Sequence, residues 1–337
     1  MDPLTQGVLG AVMPQAVAAR SERTVVIAGF CGFAAGLAAD LDVLITSATD
    51  PLLVLEYHRQ FSHSLLFIPV GGLAVAALLH IVFGRWMRLP FGRMLLICTL
   101  GYGTHGLLDF ATSYGTMLFW PFSEERFAAS IVSVVDPMLT LPVAALALVA
   151  CIRRSPLWAR LALVWLCLYL IAASVQRHGA LGMAEALAAS RGHAVQRLTV
   201  KPTFGNILVW RSVYEAQERF FVDGLRVGIG EKIYPGTSVA RLDPARDFSW
   251  LDPASQQNRD LERFGRFSQG YVARNPADAN SVIDVRYSVL PTELSALWSI
   301  ALTPGVALDQ HVRFNTDRSG ARADAAKLWR MITTTTE

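Results

Sequence analysis

The stretch Thr104-His105-Gly106-Leu107-Leu108-Asp109 closes an apolar run that begins near Met94. His105 and Asp109 are four residues apart, so a helix places them on one face. Imidazole and carboxylate are both metal ligands, and a carboxylate inside an apolar helix is costly unless something pairs with it. Two more such pairs come earlier, Asp40 with Asp42 and His58 with His63, each at the edge of an apolar run. A hydrolytic metal centre needs several oxygen or nitrogen ligands and one open position for water. Six candidates exceed one tetrahedral shell and suit one or two divalent ions, zinc foremost and manganese second. Taken singly, Asp40, Asp42 or His58 reads as readily as a polar residue facing interfacial water. The set does not, because six ionisable groups of ligand type gather in segments otherwise nearly free of charge.

Around these six lie residues suited to supporting roles. Arg59 stands between the two histidines and has the fork to clamp an anionic group such as phosphate. Asp42 and Asp109 are each suited to serve as ligand or as general base. Ser62 and Thr104 immediately precede His63 and His105, where a hydroxyl orients a ligand or caps a helix. Asp136 precedes Pro137, a pairing that opens helices and also leaves a carboxylate near the same face.

The elements that position these residues are membrane spans. The 337-residue chain is 53% hydrophobic and only 17% charged, with a mean hydropathy of +0.36; soluble chains carry about 25% charge. Apolar runs cover residues 24–45, 64–83, 94–110, 131–152 and 157–175. Residues 3–19 form a shorter run with Pro14 inside, which predicts a short tilted or re-entrant helix. The N-terminus lacks the basic start of a cleaved signal peptide. Gly29, Gly32 and Gly36 give the first confident span a face for close helix approach. Residues 176–337 have ordinary soluble composition. Their alternation predicts strands at 196–200, 207–214 and 220–227, with helices at 180–190, 252–266 and 317–331. The fold class is therefore a polytopic α-helical membrane domain, residues 1–175 with five to six membrane helices, followed by a C-terminal soluble α+β domain, residues 176–337. Cys31, Cys98, Cys151 and Cys167 all lie in apolar runs and predict buried free thiols. A net charge of +3, dispersed along the chain, gives no footprint for nucleic acid. The expected surroundings are the lipid bilayer, and no protein partner is indicated.

Arginines mark every second membrane exit: Arg20 and Arg23, then Arg85, Arg88 and Arg93, then Arg153 and Arg154. The positive-inside rule makes these turns cytoplasmic. The soluble domain and all six ligand candidates then face the periplasm, together with Thr5 and Gln6 if residues 3–19 also cross.

The motifs Met1-Asp2-Pro3-Leu4-Thr5, Asp40-Leu41-Asp42, His58-Arg59-x-Phe61-Ser62-His63-Ser64, His105-x-x-x-Asp109 and Thr112-Ser113-Tyr114-Gly115-Thr116 resemble the bacterial family of membrane-bound metal-dependent hydrolases. That family includes inner-membrane proteins under DNA-damage regulation. The resemblance extends to Leu118-Phe119-Trp120-Pro121-Phe122-Ser123 and to Pro202-Thr203-Phe204-x-Asn206-x-x-x-Trp210-Arg211. It is strong over residues 1–140 and fades beyond 215. It implies an inner-membrane hydrolase with Asp40, Asp42, His58, His63, His105 and Asp109 as ligands. The chain departs at Leu4-Thr5-Gln6, where the family usually carries Leu-Thr-His; Gln6 leaves a weaker donor there. The reading is a hydrolase of an ester or phosphoester, on a lipid or lipid-linked substrate that reaches the outer leaflet site laterally. The rival is a metal-holding membrane scaffold or stress-response protein without turnover.

Overall fold

The computed structural model describes residues 1–18, 22–316 and 321–334. Arg20, the side chain of Arg23 and the start of the 317–331 stretch lie outside the described residues. Two compact units emerge. One holds Met1–Leu44, Tyr57–Ser174 and Phe204–Asn206; the other holds Ile45–Glu56, Val175–Thr203 and Ile207–Glu337.

The first unit is a helical bundle: α1 Pro3–Val17, α2 Glu22–Ala38, α4 Ile68–Met87, α5 Phe91–Ala111, α6 Pro137–Arg153 and the first half of α7 Pro156–Ser190, with the short α3 Leu53–Tyr57 lying mostly in the other unit. Among the described residues four helical stretches are long and apolar enough to cross a membrane: Thr24–Leu44, Leu65–Met87, Phe91–Ala111 and Pro156–Ser190. The chain is thus a polytopic membrane protein. The 131–152 run yields a helix of only 17 residues, because Asp136 caps Leu139 and Pro137 opens the first turn. α1 is likewise short, and most of its residues are buried, so it is covered by α2, α5 and α6 rather than by lipid.

Glycines set how closely these helices approach. A β-carbon on Gly10 of α1 would stand 2.5 Å from the Gly32 carbonyl oxygen of α2, and one on Gly101 of α5 would stand 2.6 Å from the same atom. Three helices therefore meet backbone to backbone, as small-residue faces allow in membranes. This contact brings Gln6, the end of α2 and the end of α5 together. The thiols are free; Cys31 and Cys98 are buried, but Cys151 is only partly buried and Cys167 is exposed, since α7 turns part of its face outward.

The second unit is α+β. Sheet one runs β1 Arg197–Pro202, β2 Val209–Ala216, β3 Arg219–Arg226 and β4 Lys232–Ala240; sheet two runs β5 Val272–Asn275, β6 Asp278–Asp284, β7 Trp298–Ala301 and β8 Arg313–Thr316. Every pairing is antiparallel. Val213, Phe220 and Val222 of sheet one share a core with Ala273, Ile283 and Val285 on the sheet-two side. The other face of sheet one is covered by Ala180 and Ala184 of α7, packed on Trp210 and Leu225. The predicted break between 175 and 180 is absent: α7 continues for 35 residues, since no proline interrupts it. The remaining helices are α8 Pro244–Asp247, α9 Gln256–Phe267 and α10 Ala321–Thr333. Ser255 caps α9 by accepting from the Asn258 amide. Arg211 is buried and donates to the carbonyls of Val285, Leu290, Pro291 and Glu293.

Candidate metal centre

α2 tightens into a 3-10 turn over Ala39–Leu44. At three residues per turn, Asp40 and Asp42 leave it in different directions: Asp40 is partly exposed and Asp42 buried. The next segment of the first unit brings His58, Arg59 and a second 3-10 turn, Phe61–His63. Arg59 holds a left-handed φ of 64°, an uncommon state for a side-chain-bearing residue. It turns the backbone so that the Arg59 amide donates to Asp42 Oδ2 at 3.0 Å. The Tyr102 hydroxyl donates to the Ser62 carbonyl at 2.7 Å and pins the second turn to α5. The last turns of α5 supply His105 and Asp109, both fully buried.

These pieces converge. Asp40 Oδ1 lies 3.2 Å from His105 Nε2 and 3.4 Å from His63 Nε2. Asp109 Oδ2 lies 3.2 Å from His63 Nε2 and 3.7 Å from His105 Nε2. All four donors fall within 4.8 Å of one another. Ligands held about 2.0–2.2 Å from a tetrahedral ion stand roughly 3.3–3.6 Å apart, so the observed spacings fit one such ion. His63 Nε2 and Asp109 Oδ2 are sealed from water and make no hydrogen bond, although the Arg59 guanidinium stands beside the carboxylate oxygen. Buried polar atoms of that kind are rare and call for an unseen partner. Both aim at the common point, and the donor chemistry suits a divalent cation.

The other ring nitrogens are committed elsewhere. His105 Nδ1 sits 2.6 Å from the Gly36 carbonyl oxygen. It must carry the proton there, which leaves Nε2 with its lone pair toward the cluster. His63 Nδ1 faces Asp42 Oδ2 at 3.2 Å and Ser62 Oγ at 2.9 Å, an arrangement of carboxylate behind histidine that fixes the tautomer. Asp42 also accepts from Ser62 Oγ at 2.7 Å and meets His58 Nδ1 at 2.8 Å. A second group, Asp40 with Asp42 and His58, is also within ligand spacing. Asp42 there is already engaged by four neighbours, so the first group is the better formed.

Negative charge is in excess. Burial opposes a charge on His63, yet the carboxylates of Asp109, Asp40 and Asp42 outweigh it and push its pKa up to about 10. The pocket favours positive charge at this point. Arg59 supplies part of it: its Nε is 3.2 Å from Asp109 Oδ2, and its Nη1 donates to Thr112 Oγ1 at 3.1 Å. The Met1 amino group and the Gln6 side-chain amide, the latter at 2.9 Å, reach Asp109 Oδ1.

The six ligand candidates, Arg59, Ser62 and Gln6 are thus brought together. Thr104 and Asp136 are not. Thr104 Oγ1 donates to the Gly101 carbonyl of its own helix, and Asp136 accepts from the Tyr169 hydroxyl and caps α6. Arg59 is buried against Asp109 rather than open to solvent. Sequence reasoning missed the Gly36 carbonyl and Tyr102. The first left a trace in the Gly29/Gly32/Gly36 series; Tyr102 left none.

The sequence model of a family described as YdjM inner membrane protein matches residues 1–180. Inner membrane protein YbcI of Escherichia coli (strain K12) is 40% identical over 75 residues, which is 21% of this chain. The aligned part spans 40% of that relative's length. No solved structure matches. The cluster and the apolar helices that carry its residues all fall within the matched segment, which is more than half of the 337 residues, and the chain belongs to the YdjM inner membrane protein family.

Proposed function

We propose that the chain is a membrane-bound metal-dependent hydrolase of an ester or phosphoester in a lipid or lipid-linked substrate. The observation that carries this is the convergence of His63, His105, Asp40 and Asp109, two of them with orphaned, water-sealed donor atoms. A set of two imidazoles and two carboxylates suits zinc first and manganese second. Bound there, a divalent ion supplies Lewis acidity toward an ester or phosphoryl oxygen and lowers the pKa of water toward neutrality.

The chain's own residues supply the rest. Asp42 holds the His63 ring and, through His58 Nδ1, fixes a second imidazole whose side chain is 32% exposed. With Nδ1 anchored on a carboxylate, His58 Nε2 is placed to take or return a proton at the mouth of the site. Arg59 offsets the charge of Asp109 and keeps its second oxygen turned inward. Leu41 and Leu44, on the same turn as Asp40, are well exposed; they offer an apolar edge to an acyl chain. A purified protein in lipid nanodiscs, given zinc or manganese, is expected to hydrolyse long-chain esters or phosphoesters faster than water-soluble analogues. An ion held with no turnover of either class leaves the scaffold reading in its place.

We further place the cluster and the second unit, as an extracytoplasmic domain, on the periplasmic side. The cluster sits at the start of α4 and the end of α5, whereas Arg85, Arg88 and Arg93 sit at the opposite ends of these two helices. With the native cysteines replaced, a membrane-impermeant maleimide is expected to label Glu231→Cys in intact cells and Arg88→Cys only after the inner membrane is opened. The reverse pattern overturns this orientation.

A further inference from the structure

Between α2 and α4, Asp40 with Asp42 is separated from His58 with His63 by residues 45–56, and this segment belongs to the second unit. Leu52 is 1% exposed and packs in a core with Phe248, Leu261 and Phe264. Its neighbours on the segment are held by a single side chain of α9. Arg263 makes a two-pronged pair with Asp50, Nη1 to Oδ1 at 3.0 Å and Nη2 to Oδ2 at 2.8 Å. Its Nε donates to Glu56 Oε1 at 2.6 Å, and Nη1 also reaches Asp260 Oδ1 at 3.0 Å. His311 Nδ1 meets the other oxygen of Asp260 at 2.9 Å. A planar guanidinium bonding three carboxylates at once fixes them in direction as well as distance.

We propose that Arg263 is a positioning residue for the donor cluster: by clamping Asp50 and Glu56 it fixes the segment whose two ends carry Asp40 with Asp42 and His58 with His63. The inference rests on the metal-centre reading above. Asp42 lies three residues before Ile45, and His58 two residues after Glu56, so little slack separates clamp from donors. Left loose, a segment of this length leaves the donors on its two sides held together only by the bonds of Asp42 to His58, the Arg59 amide and Ser62, and part of their ordering would fall to the incoming ion. Clamped, they are held in place before the ion arrives. The soluble domain then sets the affinity of a site to which it contributes no donor.

The test is zinc affinity of the full chain in nanodiscs, read by competition with a chromophoric chelator well below the melting temperature. Arg263→Ala is expected to weaken binding about tenfold or more, the scale on which outer partners of ligands act. Arg263→Lys, which keeps the charge, is expected to recover part of that loss. Asp50→Asn with Glu56→Gln removes the clamp from the other side, leaves α9 intact, and is expected to match Arg263→Ala. Arg246→Ala breaks an exposed pair with Asp247 in the same unit and is expected to bind as the parent does. If Arg263→Ala and the double variant melt lower but bind zinc with parental affinity, Arg263 is structural only and the proposal falls. A parent chain that binds no zinc overturns both this proposal and the metal-centre reading; zinc binding lost in Asp109→Asn but kept in Arg263→Ala overturns this one alone.

Discussion

Asp109→Asn and His105→Ala are each expected to leave a folded membrane protein that no longer retains a divalent ion through purification. The parent is expected to retain one ion per chain by elemental analysis, because four donors form one closed group and Asp42 is occupied by other partners. Asparagine is the informative change at position 109. It keeps the side chain's shape and an acceptor for the Gln6 amide, which alanine does not; either change takes the carboxylate charge from the buried Arg59 guanidinium, a loss that by analogy costs about 3–5 kcal/mol. His105→Ala removes one nitrogen donor and the bond to the Gly36 carbonyl. Either change should lower affinity by more than the roughly 100-fold that loss of an outer partner can cost. Melting with and without added zinc separates fold from site. An ion that binds only the folded chain raises its stability by about 2.7 kcal/mol at 100 times its dissociation constant, and this rise should vanish in both variants. If both keep the parental rise, the ion is held elsewhere and the assignment of His63, His105, Asp40 and Asp109 is wrong.

Much of this arrangement is legible in the chain because the bilayer makes polar residues conspicuous. His105 and Asp109 announce themselves by helical spacing inside an apolar run, and Asp40 and His63 by their places at the edges of two other runs. What the sequence does not show is how the six divide. Asp40 and Asp42 are alike in type and two residues apart, yet a 3-10 turn sends one to the cluster and the other behind His63. That division depends on the backbone conformation of a few residues, including the left-handed Arg59, a position where residue type usually favours glycine or asparagine. The membership of residues 45–56 in the second unit is hidden for a similar reason. Leu52 looks like one apolar residue in a polar connection, and its partners lie some two hundred residues later, Phe248 just after α8 and Leu261 and Phe264 on the amphipathic α9. The strands from β4 onward also escape such a reading: β4 has a single buried residue, Val239, and β5, β7 and β8 are four residues each, too short to display a period of two.

Gly106→Ala tests the centre without altering any donor atom. A β-carbon at this position would run into the carbonyl oxygen of His63, and the obstacle is backbone rather than the end of a flexible side chain. α5 cannot readily retreat, since Gly101 holds it against the Gly32 carbonyl of α2 one and a half turns earlier. The yielding part is the Phe61–His63 turn, tied down by the Tyr102 and Asp42 contacts. Overpacking of this kind costs about 1–3 kcal/mol in a well-filled core, and here the displacement moves the His63 imidazole itself. Zinc affinity is expected to fall at least about tenfold, since shifts well under the length of a bond disturb ligand geometry. Gly103→Ala is the matched control. Its β-carbon would meet only Ile68 side-chain atoms at 3.4 and 3.7 Å, ordinary contact distances, so affinity and melting temperature should stay near the parent. Both changes replace glycine by alanine in the same helix, so helix propensity acts on them alike. A difference in zinc affinity between them isolates the approach of α5 to His63. Equal affinity in the two variants would mean that His63 is not held where the ion binds.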